Sequence, residues 1–273
     1  MSHTNKIPFS KAITYILISI FVFSLLPTVF VSYFKSLDNS HKKDNKFLIT
    51  DIIQTGPVKE ALKSQQLEEL LGLSIDQPQN LYAYNLLEGE KKLLNCPVIK
   101  EAKLAKEFPD TLVVDYSIRE PLAYISDYEN IVIDEDGFLF PLSPYYTPKR
   151  LPEIYLGVQI EPFTYGNIQD EKWKVAKDIL TYIKELSIKG LFVKKIDVSK
   201  VRADSLGKRE VILTLSDQLG QKKYLRYLRL TKERYIEEID HFLSLKHMSL
   251  AEDLVVDLRL LPNAYLTSIK EEK

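Results

Sequence analysis

The chain has 273 residues, of which 45% are hydrophobic and 27% charged, and its formal net charge is −1. That length predicts one or two domains with room for a core, and that composition excludes wholesale disorder. A near-neutral charge gives no global attraction for nucleic acid or anionic lipid, and the single cysteine, Cys96, excludes an intramolecular disulfide and any multi-cysteine metal site.

Residues 12–34 form a run of 23 without a charge, bounded by Lys11 and Lys35. As a helix this run is about 34 Å long, enough to cross a bilayer core with some tilt. Its Leu, Ile, Val and Phe residues together favour insertion by about 4–8 kcal/mol before the polar residues are set against them. Membrane helices tolerate Pro27. A cleaved signal peptide has a shorter apolar stretch followed by a small-x-small site. Here no such site follows Leu26 and the run continues to Phe34, so the reading is an uncleaved anchor. Lys35, Lys42, Lys43 and Lys46 outnumber Lys6 and Lys11, which by charge count puts the second flank in the cytoplasm. Long domains translocate regardless of flanking charge, so the sequence leaves both orientations open.

Residues 36–46 are polar and suit a linker. Residues 47–54 read as a β-branched strand stopped by Gly56-Pro57. Leu67, Leu70 and Leu71 give 64–71 helical spacing, with Gly72 as the stop. Residues 81–84 read as a short extended piece. Asn85 with Glu88 starts a second helix with an apolar face of Leu86, Leu87, Leu93 and Leu94, ended by Pro97. Strands follow at 99–106 and 111–118, joined by a turn at Phe108-Pro109-Asp110-Thr111. In the second, Leu112, Val114, Tyr116 and Ile118 share one face, the alternation of a half-buried strand. The order strand, helix, helix, strand, strand implies a three-stranded sheet with both helices on one face.

Beyond Pro121, short strands are predicted at 123–125, 130–133 and 138–140. Asp134-Glu135-Asp136-Gly137 lacks the spacing of an EF-hand loop and reads as a turn with Gly137 at positive φ. The proline-rich stretch 141–162 is expected to run along the surface. Asp170 caps a helix with a face of Trp173, Ala176, Ile179, Leu180, Ile183 and Leu186. Strands at 193–198, 210–215 and 224–230 lead to a helix begun by Thr231, burying Tyr235, Ile236, Ile239, Phe242 and Leu243. In the last predicted strand, 254–260, Leu254, Val256, Leu258 and Leu260 point inward.

Little of this suggests catalysis. His3, His41, His241 and His247 make no metal or catalytic spacing, and no P-loop or dinucleotide fingerprint occurs. Lys222, Lys223, Arg226, Arg229, Lys232 and Arg234 interleave with Tyr224 and Tyr227, a pattern that can bind single-stranded nucleic acid. With near-zero net charge, the better reading is a solvated strand edge whose charges discourage aggregation. The expectation is a docking protein, not an enzyme, with no cofactor, no metal, no nucleic acid and no small-molecule substrate.

Pro97, Ala102, Lys106, Phe108-Pro109, Thr111-Leu112, Arg119, Pro121 and Ala123 stand in the order of a family pattern. The chain resembles the FtsQ/DivIB family of bacterial cell-division proteins. Val98 and Phe108 stand where the family usually has tryptophan, and Ile118 where it has glutamate. Gly56, Asn80-Leu81-Tyr82, Asp136-Gly137 and Val256-Asp257-Leu258-Arg259 also fall in family order, with Leu260 in place of a tyrosine. The resemblance implies an α+β protein with a cytoplasmic tail (1–11), a transmembrane helix (12–34), a linker (35–46), a POTRA domain (47–121) and a mixed β-domain with flanking helices (122–273). It implies a single-pass protein of the inner membrane with its domains on the outer side. It also implies a divisome scaffold that binds FtsB/DivIC- and FtsL-like proteins and helps control septal peptidoglycan synthesis. Partner binding lies near the last strands in this family, which makes Asp257, Arg259 and Tyr265 the exposed candidates, acting by strand addition.

Two other readings compete. A POTRA-type polypeptide-binding protein of outer-membrane assembly or secretion would carry several such modules or a barrel, and the helices after Ala123 interrupt the strands a barrel needs. A membrane-anchored enzyme would need a convergent polar constellation that the sequence does not display.

Overall fold

The structure, a computed structural model, describes residues 9–58, 61–74, 78–157, 164–245 and 251–269. Lys6, His3, His247 and the 158–162 part of the proline-rich stretch lie outside the described residues. The chain divides into two compact units, Met1–Ser117 and Ile118–Lys273.

The first unit opens with helix α1 (Phe9–His41), which carries Pro27 inside it. Residues 13–37 are all exposed and so bury nothing within the chain. The segment Ile13–His41 is long and apolar enough to cross a membrane, with a mean hydropathy of 2.2 in its most apolar stretch. The predicted linker is largely absent, because the helix continues through it. Long-range capping explains the extension: Asn80 Nδ2 donates to the carbonyls of His41 (2.9 Å) and Asp44 (3.1 Å). The His41 ring also packs on Phe47 and Tyr82, at 5.3 and 4.9 Å between centroids.

The same hub displaces two predicted strands. Asp44 caps a short helical turn at Asn45–Phe47, so strand β1 is confined to Asp51–Thr55. Residues 81–84 form a turn, not an extended piece: the Asn80 carbonyl accepts from Ala83 and Tyr84 N–H, and its side chain accepts from Tyr82 N–H at 2.9 Å.

Helix α2 (Ser64–Leu71) ends on Gly72 at φ 70°, as its sequence predicts. Helix α3 (Leu86–Leu94) is capped by Asn85, whose side chain accepts from Glu88 N–H. Its buried face differs from expectation. Leu93 is buried, but Leu87 is 69% exposed and Leu94 is exposed as well. The helix turns Gly89 inward instead, where an added Cβ would meet Tyr84 Oη at 2.7 Å.

Strands β2 (Ile99–Glu107) and β3 (Thr111–Ile118) complete a sheet of order β1-β3-β2, with β1 parallel to β3. The Phe108–Pro109 peptide between them is cis. Leu112, Val114 and Tyr116 are buried on one face of β3. Each full burial of this kind stabilises by about 1.5–3 kcal/mol. Tyr116 Oη donates to Gln54 and accepts from Leu62 N–H, both at 2.8 Å, which satisfies the one polar atom of that face.

Among its described residues, the second unit is a mixed sheet of ten strands. They are β4 (Ala123–Ile125), β5 (Ile131–Ile133), β6 (Phe138–Pro141), β7 (Glu153–Tyr155), β8 (Gly166–Asn167), β9 (Leu191–Asp197), β10 (Val211–Leu219), β11 (Lys222–Leu230), β12 (Leu254–Asp257) and β13 (Tyr265–Ser268), in the spatial order β13-β12-β11-β10-β9-β7-β4-β5-β6-β8. Helix α4 (Glu171–Leu186), capped by Asp170, and helix α5 (Tyr235–Leu245) cover the core. Trp173, Ala176 and Ile179 from α4 and Ile239 and Phe242 from α5 pack with Leu213, Leu228 and Val256. The helices are tied to each other by Tyr235 Oη to Asp178 (3.0 Å) and by Tyr182 Oη to Asp240.

Three expectations are corrected here. The proline-rich stretch does not simply run along the surface. It contains β7, which pairs in parallel with both β4 and β9 and joins the two halves of the sheet, with Ile154 fully buried. The basic strand β11 is not an edge but lies between β10 and β12. Its Arg226 is buried, with Nε 3.6 Å from the Asp217 carboxylate and a guanidinium hydrogen bond to the Glu252 carbonyl. Leu260, predicted inward, is 65% exposed, because β12 ends at Asp257 and Leu260 belongs to the turn beyond it.

Candidate functional site: the edge at β13

Strands β12 and β13 are antiparallel, with Val256 opposite Leu266 and Asp257 opposite Tyr265. Among the described strands β13 ends the sheet order, and all four of its residues are exposed. Ile269 N–H donates to the Asp253 carbonyl at 3.0 Å. Successive residues of a strand alternate direction, so Thr267 and Tyr265 also bond toward β12, and Leu266 and Ser268 aim their N–H and C=O groups outward. The edge is thus a row of main-chain donors and acceptors. Around it Leu260, Tyr265, Leu266 and Ile269 expose apolar surface.

Behind this edge lies an ionic cluster. Glu210, only 5% exposed, accepts from Lys200 Nζ at 2.8 Å and from Arg229 Nη2 at 2.6 Å. Arg259 Nη1 lies 3.5 Å from the same carboxylate. Asp257 accepts from Arg259 Nε at 2.9 Å and Nη2 at 2.7 Å, with Arg229 Nη1 at 3.3 Å. Burial pushes the Glu210 carboxyl up, but the hydrogen bonds from Lys200 and Arg229 outweigh it and hold it below its ordinary value. The Arg259 guanidinium holds Asp257 down against burial, and Asp257 in turn raises Arg259. Glu238 on α5 goes the other way: burial raises its carboxyl although Thr231 donates to it through both N–H and Oγ1.

The structure brings the three candidates Asp257, Arg259 and Tyr265 to one end of β12 and β13. It does not leave them equally exposed. The Asp257 and Arg259 side chains are each 23% exposed and are engaged with each other, whereas Tyr265 is 55% exposed. Ion pairing within the cluster draws the two charged groups inward. Glu210 and Arg229 were not predicted as site residues; they meet only through the register of β10 and β11, which no local pattern reports. The outward groups of Leu266 and Ser268 were missed because an edge strand with no buried face has no hydrophobic alternation.

The motif residues further up the chain divide between the units. Pro97, Ala102, Phe108, Pro109 and Leu112 lie in the first; Leu112 is fully buried and Phe108 exposed. Phe108 stacks on Tyr82 at 4.6 Å between centroids. Arg119 and Pro121 lie in the second unit, where Arg119 pairs with Asp134 at 2.8 Å and sits over the Phe138 ring. Asp134 also accepts from Phe138 N–H, and Gly137 turns at φ 83°, which gives the acidic run a structural role in the β5–β6 turn. Among the described residues no group of three or more His, Cys, Asp or Glu side chains is placed to hold a metal ion.

A scan against protein-family models gives no match for this chain, and a search of curated proteins gives none.

Proposed function

We propose that the chain is a single-pass scaffold of the bacterial division machinery, of the FtsQ/DivIB type. In this reading α1 anchors it in the inner membrane with the N-terminus in the cytoplasm, the first unit is a POTRA domain, and both units lie on the outer side. The chain binds FtsB/DivIC- and FtsL-like proteins and through them influences septal peptidoglycan synthesis; it is not itself an enzyme. The observation that carries the reading is the edge that β13 forms among the described strands, with outward main-chain groups at Leu266 and Ser268 and the exposed Tyr265 ring beside them. An extended partner segment adds to such an edge through the backbone, and its alternate side chains give specificity. The order of elements supports it too: a membrane-length helix, then strand, helix, helix, strand, strand, then a larger sheet.

Depletion tests the reading. Depleted cells should elongate without septa, and the tagged chain should co-purify from membranes with an FtsB-like coiled-coil protein. Normal septation after depletion, or purification free of any such partner, overturns it.

A further inference from the structure

A second surface lies on the ten-stranded unit, at β9, with β10, β11 and β12 between it and β13. Here a groove of about 800 Å³ opens where the end of α4 meets the start of β9. Its lining is apolar at Leu151, Ile183, Leu191 and Val193, and the Phe192 ring on its wall is 56% exposed. Its charged lining residues are Arg150, Lys184, Lys194 and Lys223, and among the described residues no carboxylate lines it. All four cations are exposed, and none has an ion-pair partner among the described residues. In a chain with a net charge of −1, four unneutralised cations around one apolar groove are a local concentration of a single sign.

The strand beside the groove is also incomplete. Strand β9 pairs with β10 from Leu191 onward, but β7 joins it only at Glu153 opposite Lys195. Among the described strands, 191–193 are therefore paired on one side only, and Lys194 bulges out of the β10 register between Val193 and Lys195.

We propose that this groove binds an acidic, apolar peptide segment of a partner protein, extended along the first residues of β9. Its carboxylates meet Arg150, Lys184, Lys194 and Lys223, and its apolar side chains pack on Phe192 and Val193. An anionic lipid would match the charge and the apolar lining, but an acyl chain has no use for a one-sided strand. A peptide backbone does, and this favours the peptide. The surface is separate from β13 and stands whether or not the scaffold reading holds.

The test uses the full chain in phosphatidylcholine nanodiscs and a short fluorescent peptide alternating Glu with Leu and Phe. Saturable binding should weaken by at least about tenfold in Arg150→Glu/Lys223→Glu and at high salt. It should be unchanged in Lys174→Glu/Lys208→Glu, the same charge change on exposed residues outside the groove, and in Leu266→Pro at the other edge. No saturable binding, or equal binding by the groove variant, overturns the proposal. So does loss in Leu266→Pro, which would put the peptide on β13. Capture of phosphatidylglycerol vesicles that the groove variant loses, without peptide binding, would assign the surface to lipid and overturn it as well.

Discussion

Asp257 and Tyr265 face each other across the β12–β13 ladder, yet the carboxylate is held inward by Arg259 and Arg229 while the ring stands in solvent. The pair thus separates support from presentation. Tyr265→Ala should leave the unfolding midpoint of the full chain nearly unchanged, within about 0.5 kcal/mol, because the ring buries little. Partner co-purification should fall. Asp257→Ala should cost about 1–3 kcal/mol, since it leaves two guanidinium groups short of an acceptor. Denaturant unfolding in detergent measures both, and the reverse ranking would sink this division of roles.

Acid should loosen the ionic cluster. Glu210 and Asp257 have folded values below their ordinary ones, so the unfolded chain takes up protons first as pH falls. The stability they supply is complete above the ordinary carboxylate range of about 4 and is lost as pH drops through the depressed folded values. Glu210→Gln should be less stable than the parent at neutral pH, and the two curves should converge in acid. Glu238 carries the opposite sign: its raised value favours the protonated fold, and that preference is lost as pH rises through it. Glu238→Gln should therefore flatten the upper limb and leave the acid limb alone. A Glu210→Gln gap that persists at low pH contradicts the account.

The proposed strand addition at β13 makes a register-specific prediction. Leu266→Pro removes an outward N–H and should abolish partner binding while the sheet stays intact. Thr267→Pro removes a donor that faces β12, opposite Val255, and should destabilise the edge itself. Circular dichroism together with co-purification separates the two. Partner binding that survives Leu266→Pro would show that the partner does not use the strand's backbone.

The proposed anchor can be tested by charge. Phe21→Arg with Leu25→Arg places two cations near the middle of α1, each costing roughly 2.5–3.5 kcal/mol of insertion. The variant should move from the alkali-resistant membrane pellet to the supernatant, while the parent stays in the pellet. In the proposed topology, external protease should digest the two units of the parent in spheroplasts; protection would place them in the cytoplasm.

Elements with local punctuation were legible in the sequence. Gly72 stops α2, Asp170 starts α4, and the alternation through Leu112, Val114 and Tyr116 defines β3, each within a few residues. The elements that escaped depend on distant partners. Strand β7 offers one buried side chain, Ile154, between prolines and a glycine, and its place comes from parallel pairing with β4 and β9. The helix beyond Phe34 loses its apolar run and looks like a linker until Asn80 caps it. At the candidate site the motif Val256-Asp257-Leu258-Arg259 marked the neighbourhood. The ring of Glu210, Arg229 and Arg259 around it could not be read, because ion pairing across a sheet leaves no spacing along the chain.

The junction at His41 has a mechanical consequence. A domain hung on a loose tether ignores the orientation of the helix before it. Here the last turn of α1 is clamped through Asn80 and wedged among Phe47 and Tyr82, whose rings are 4.9 Å apart. The helix behaves as a keyed shaft. Each residue of added or deleted helix rotates the downstream chain by about 100°. Inserting a single alanine after Leu37 would therefore swing the three-stranded sheet to a different bearing around the axis of α1, with every contact inside the sheet preserved.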